Sequence, residues 1–114
     1  MHELSLVHAL FDQADRAVLP HGPERVRRVE VAIGALAGVE VDLFRTAFEI
    51  ARVERGYRSA ELTIERVPAE HACSVCGARP LAGAPLACPC GGRVALTRGG
   101  DLILKRIELE VPDV

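Results

Sequence analysis

Four cysteines, spaced Cys73-x2-Cys76 and Cys88-x-Cys90, and the opening triplet Met1-His2-Glu3 are the residues of this chain whose types and spacing can do chemistry. Four thiolates favour a tetrahedral structural zinc, a closed site with no open position for a reaction. The triplet offers a different donor set. In a chain that starts at Met1, the α-amine, the His2 amide nitrogen and the His2 imidazole close fused five- and six-membered rings around one ion, with the Glu3 amide nitrogen as a fourth donor. Nitrogen-rich, planar coordination of that kind suits Ni(II) or Cu(II). The Glu3 carboxylate then orients or neutralises the site from behind the ligands. Two sites of such different character read as metal handling and not as catalysis.

The second cysteine pair is tighter than the usual zinc knuckle. Alternate residues of an extended segment point to one side, about 6.6 Å apart, so Cys88 and Cys90 can converge on one ion around Pro89. The 11 residues between Cys76 and Cys88 allow a hairpin that folds one pair onto the other. Glycines at Gly77, Gly91 and Gly92 permit turns that aim N–H groups back at sulfur. His71 is the substitute ligand if Cys88 or Cys90 falls short, and otherwise a solvated loop histidine. Disulfides, a redox Cys-x2-Cys or a bound iron are the other uses of such cysteines. No basic segment followed by an apolar run marks a secretion signal, and no run reaches membrane-spanning length. A cytoplasmic, reducing compartment is therefore expected, where cysteine pairs hold metal more often than they form disulfides. Pro68 to Gly100 also lacks the strand-then-helix setting of a redox motif. Iron would colour the protein, whereas zinc would not.

The elements that must position these residues follow from hydrophobic period. Leu4, Val7, Phe11, Ala14 and Val18 recur at three- and four-residue steps and predict a helix over Glu3 to Leu19, stopped by Pro20-His21-Gly22-Pro23. Val29, Val31 and Ile33 alternate with polar or small residues in a strand ending at Gly34. Asp42 is positioned to cap a second helix whose buried face is Phe44, Ala47, Phe48 and Ala51, closed at Gly56. Leu62 and Ile64 mark a second strand that ends before Pro68. Ile107, Leu109 and Val111 alternate with charges in a last strand. The expected fold is α/β: two helices on a small three-stranded, mainly antiparallel sheet, with a zinc-ribbon-like lobe inserted between strands. Residues 1–67 plus 99–114 form the core on this reading, and residues 68–98 the lobe, with hinges at Pro68 and Gly99-Gly100.

Composition excludes several classes. At 114 residues with 3 Phe, 1 Tyr and no Trp, the chain can bury one modest aliphatic core. Its net charge of −2 provides no basic field for nucleic acid or anionic membrane. A zinc-ribbon module docking nucleic acid or a protein assembly is the rival reading. Residues 71–98 carry Arg79, Arg93 and Arg98 and no carboxylate, but a four-thiolate zinc of charge −2 offsets most of that, and aromatic stacking groups are absent. Neither a nucleophile–base pair nor a phosphate-cradling glycine loop is present, so an enzyme is not expected. His8 lies six residues from His2, on another helix face, and His21 sits in the Pro20–Pro23 turn, so neither is expected to share an ion with His2.

Met-His-Glu-Leu-Ser at the start, the strand ending Ala32-Ile33-Gly34, the helix with Leu43-Phe44 and Ala47-Phe48-Glu49, the cysteine lobe and the terminal Ile107-Glu108-Leu109-Glu110 together resemble the hydrogenase nickel-incorporation family HypA/HybF. The resemblance covers nearly the whole chain in order. It implies a small nickel metallochaperone that works with a GTPase partner to load nickel into the large subunit of NiFe hydrogenase, with a separate structural zinc. Urease is the other nickel enzyme it leaves open, and a homodimer paired through a sheet edge is an open assembly. Glu40 falls where the family carries an acidic group near the nickel site, though a carboxylate there also suits a helix N-terminus. Cys88-Pro89-Cys90 departs from the Cys-x2-Cys that the family usually shows twice.

Overall fold

The computed structural model describes residues 2–80 and 87–111. Helix α1 spans His2–Val18, strand β1 Val26–Gly34, helix α2 Val41–Glu54, strand β2 Glu61–Val67, β3 Glu70–Cys73, β4 Val94–Arg98 and β5 Leu102–Leu109, with a short 3-10 turn at Pro23–Arg25. Three strands form one sheet in the order β2-β1-β5, and β3 and β4 form a separate two-stranded sheet. Both helices cover one face of the larger sheet. Val7, Phe11, Ala14 and Val18 from α1, Phe44, Ala47, Phe48 and Ala51 from α2, and Val29, Val31 and Ile33 from β1 make one buried cluster.

β1 is the central strand, which is why it reads as the most apolar. Its partner β2 runs parallel to it, in the register Val29↔Leu62 and Val31↔Ile64, because α2 carries the chain back across the sheet before β2 begins. β5 pairs antiparallel with β1, and β3 with β4. The three-stranded sheet is therefore mixed, with one parallel and one antiparallel ladder where a mainly antiparallel sheet was expected, and only with the separate β3–β4 pair do the antiparallel ladders between the described strands outnumber the parallel one by two to one.

Two boundaries differ from expectation for physical reasons. β5 starts at Leu102, four residues before the alternation becomes legible, and stops at Leu109, leaving Val111 half exposed outside it. A register shift between Glu30 and Val31 against Arg106 and Leu104 leaves Lys105 as an extra residue, so alternation restarts out of phase at that bulge. Asp42 is not the cap of α2. Glu40 occupies the N-cap position, with no side-chain capping bond, and Asp42 lies in the first turn.

Residues 55–57 hold the two helices together. Arg55 at the end of α2 donates to Asp12 (2.6 Å), Asp15 (3.0 Å) and the His8 carbonyl (3.3 Å), all on α1, while its guanidinium lies 5.8 Å from the centre of the Phe11 ring. Tyr57, wholly buried against Phe11, donates its hydroxyl to Asp15 at 2.6 Å. Burial first, and then the hydrogen bond to the Asp15 carboxylate, push the phenol above its usual range. An unfolded tyrosine ionises near 10, so the folded chain binds this proton more tightly. The resulting stabilisation is complete below pH 10 and is lost as pH rises beyond it. Tyr57→Phe is expected to cost about 1.5–3 kcal/mol at neutral pH, the worth of one hydrogen bond to a charged acceptor, and to flatten the alkaline fall in stability. Urea unfolding at pH 7 and pH 11 reads both effects.

Candidate metal centres

The cysteine centre is built by two tight turns at neighbouring ends of the small sheet. Cys73 ends β3, and the chain turns so that Gly77 N–H donates to Cys73 O (3.0 Å). Past Ala87, which bridges to Arg93, Gly91 N–H donates to Cys88 O (2.9 Å). The antiparallel pairing of Cys73 with Val94 then lays one turn against the other. All four sulfurs lie within 4.8 Å of one another, with Cys73 Sγ to Cys90 Sγ at 3.4 Å and Cys76 Sγ to Cys88 Sγ at 3.6 Å. A tetrahedral zinc with bonds of about 2.3 Å separates its sulfurs by about 3.8 Å. The quartet therefore matches the ion in number, type and spacing.

Charge makes the same case. The N–H groups of Cys76 and Val75 draw the Cys73 thiol down to about 6, a thiolate at neutral pH. At Cys90 the Gly92 N–H pulls the same way, but hydrogen bonds shared with Cys73, Cys88 and Cys76 outweigh it and push the thiol up to about 12. One sulfur ionises readily and another resists, because the neighbouring sulfurs compete for shared protons. A divalent cation removes that conflict. Gly92 is also a steric requirement, since a Cβ there would lie 2.5 Å from Cys73 Sγ.

Both Cys88 and Cys90 reach the cluster despite the short spacing, so the geometry does not call on His71. That residue pairs with Leu96 in the β3–β4 ladder. His8 lies beside Arg55, with Nδ1 3.3 Å from the guanidinium, and His21 follows α1, its N–H donating to Val18 O.

At the amino terminus α1 already begins at His2, so this segment is part of a helix that packs on the core. Met1 lies outside the described residues. The His2 side chain is 60% exposed and that of Glu3 only 11%, with His2 Nδ1 3.4 Å from Glu3 Oε2. The Glu3 carboxylate accepts from the backbone N–H of Glu40 at 3.3 Å, across to the start of α2. That N–H chiefly, and His2 in smaller measure, hold the Glu3 carboxyl below its usual range. The carboxylate faces inward and the imidazole outward. The amide nitrogens of the first helical residues have no carbonyl four residues back, so those of His2 and Glu3 are not committed to the helix. A groove of about 350 Å³ between α1, Ala37-Val39 and the start of β5 opens beside His2.

Sequence reasoning missed the Glu40 N–H, the Arg55 clamp and the Tyr57 anchor. The spacing of Asp12 and Asp15 puts them on one helix face, but nothing local names their partner.

An α/β body with a four-thiolate lobe and an exposed histidine at the head of its first helix places the chain among small metal-handling proteins. The family described as hydrogenase/urease nickel incorporation, metallochaperone, HypA, matches residues 1–109. This chain belongs to the HypA family. It is 34% identical over 116 aligned residues to the hydrogenase maturation factor HypA of Chlorobium limicola, covering 99% of this chain and 100% of that one. The Chloroflexus aggregans HypA is 37% identical, covering 98% and 100%. Among solved structures, the solution structure of the Ni metallochaperone HypA from Helicobacter pylori superposes with a TM-score of 0.67 at 29% identity, covering 94% of this chain and 96% of that one. A second HypA solution structure gives 0.75 at 27% identity, covering 96% and 97%.

Proposed function

We propose that this chain is a nickel metallochaperone that delivers Ni(II) for NiFe hydrogenase maturation, and that it carries the ion without converting a substrate. Beyond family membership, the observation that carries the reading is the terminus. His2 presents an exposed imidazole at the first residue of a helix packed on the core, with the Glu3 carboxylate tied inward to Glu40. The proposed nickel donors are the Met1 amine, the His2 amide nitrogen and imidazole, and the Glu3 amide nitrogen, with the Glu3 carboxylate holding the first turn in place. An exposed site with one side-chain donor suits a carrier, because a partner can replace its donors one at a time.

The proposed zinc ligands are Cys73, Cys76, Cys88 and Cys90, in a role confined to folding. We assign residues 1–67 with 99–114 to the nickel-carrying core and residues 68–98 to the zinc lobe. In support, the buried cluster draws on residues between Val7 and Ala60, with β5 packed against it and no described lobe residue included. The proposed partners are a hydrogenase-maturation GTPase and the hydrogenase large subunit, met in the cytoplasm. No described helix is long and apolar enough to cross a membrane.

The test is a one-residue extension before Met1, with every native side chain retained. It displaces the amine and breaks the chelate, so Ni(II) affinity measured by calorimetry is expected to fall by more than the roughly 10–100-fold that loss of an outer partner costs a metal site. Unchanged affinity would remove the amine from the ligand set.

A further inference from the structure

The four sulfurs of the cluster are not equivalent. Cys73, a buried residue, accepts the Val75 N–H on its Sγ at 3.4 Å, and the exposed Cys90 accepts the Gly92 N–H on its Sγ at 3.4 Å. In both the donor stands two residues further on, inside a tight turn. Among the described residues no N–H donates to the sulfur of Cys76 or of Cys88. The cause is local. The first N–H after Cys76, that of Gly77, is donated to Cys73 O at 3.0 Å, and the residue after Cys88 is Pro89, which has no N–H to give. An N–H draws charge from the sulfur it meets and lowers its nucleophilicity, so Cys76 and Cys88 keep the reactivity that Cys73 and Cys90 lose. Their two sulfurs face each other at 3.6 Å, with Cys76 exposed and Cys88 half-buried.

We propose that Cys76 and Cys88 form a peroxide-sensitive modification site whose bridging strips the lobe of its zinc. The zinc part rests on the four-cysteine site proposed above, whereas the order of reaction among the sulfurs does not. The exposed Cys76 thiolate attacks one oxygen of hydrogen peroxide, an S–O bond forms, the O–O bond breaks, and hydroxide leaves with its electron pair. Cys76 is then a sulfenic acid. The Cys88 thiolate attacks the Cys76 sulfur, the S–S bond forms, the S–O bond breaks, and a second hydroxide leaves. Two thiolates have lost two electrons between them, and the peroxide has gained both. The sulfurs need only close from 3.6 Å to about 2.05 Å. A disulfide sulfur is no longer an anionic ligand, so Cys73 and Cys90 remain as half of the set that a closed zinc site requires. The lobe loses its ion and opens. Exchange with a dithiol reverses the bridge, whereas oxidation to a sulfinic acid would not be reversed this way.

The test exposes the full, untagged, zinc-loaded chain to hydrogen peroxide and follows released zinc with a chromogenic chelator. The reaction is stopped at partial release, free thiols are alkylated in denaturant, and tandem mass spectrometry maps the products. Loss of one zinc for each Cys76–Cys88 bridge is expected, with Cys73 and Cys90 alkylated, and dithiothreitol with added Zn(II) should restore the starting state. A first bridge between Cys73 and Cys90 or within either turn, a sulfinic acid at Cys76 with no bridge, or zinc retained throughout would overturn the proposal. Limited N-ethylmaleimide gives a second readout that involves no oxidant. Cys76 is expected to be modified before the other three, and modification of Cys90 or Cys73 ahead of it would overturn the proposed order. Metal analysis of the chain before treatment separates the two ways of failing. A chain that holds no zinc at its cysteines ends the zinc site and the expulsion with it, whereas a chain that holds zinc and bridges elsewhere ends this proposal alone.

Discussion

His2→Ala is expected to abolish specific Ni(II) binding and hydrogenase maturation while leaving zinc content and the thermal midpoint nearly unchanged. The substitution removes the single side-chain donor proposed at the terminus, and its site is 60% exposed, so little packing is lost. Acidification should weaken nickel in the native chain too, because protons compete for the same nitrogens, and amide donors must lose theirs to bind. The loss should be steeper than one titrating group predicts. Calorimetry with Ni(II) and metal analysis of the purified protein measure these outcomes. Retained stoichiometric nickel in His2→Ala would reduce His2 to one histidine among four, and the other three occupy poor positions for replacing it: beside Arg55, in a turn, and on a ladder of the lobe.

Cys76→Ala should release zinc and melt the lobe from Ala69 to Arg98 without unfolding the core. Among the described lobe residues only Cys73 and Val94 are buried apolar groups, too few to offset the entropy of ordering the segment. Structural zinc supplies about 10–16 kcal/mol in small zinc-finger peptides, far more than those two side chains can. Nickel should still bind, because the proposed donors at the amino terminus include none of the four cysteines. Zinc stoichiometry together with residue-resolved hydrogen exchange checks the result. A full equivalent of zinc in the mutant would end the shared four-cysteine site, and a core that melts with the lobe would end the proposed division of the chain.

Wherever a residue's environment is set by its own element, the sequence was easy to read. Val7, Phe11, Ala14 and Val18 of the α1 stripe, the Phe44–Ala51 face of α2 and Val29, Val31 and Ile33 of β1 are buried as their periods imply, because burying one face of a helix or strand imposes that period on the chain, while Leu4 is only partly buried and Ala32 is buried between Val31 and Ile33. The cysteines were legible for a similar reason, since ligand type and short spacing are local properties. Legibility failed at β5, where the bulge at Lys105 breaks the alternation that would have revealed Leu102–Leu104 as strand.

By itself, then, the sequence determined which faces are buried, which residues can hold metal and how they differ chemically. Only the tertiary structure decided that β2 lies parallel to β1, that Glu40 faces Glu3 across 37 residues, that Arg55 and Tyr57 grip Asp15 across 40 and 42, and that Gly34 rests on Gly99. Those contacts join residues whose separation along the chain carries no period. Their partners are selected by strand order, register and the angle at which α2 crosses the sheet, quantities that exist only once the whole core has closed.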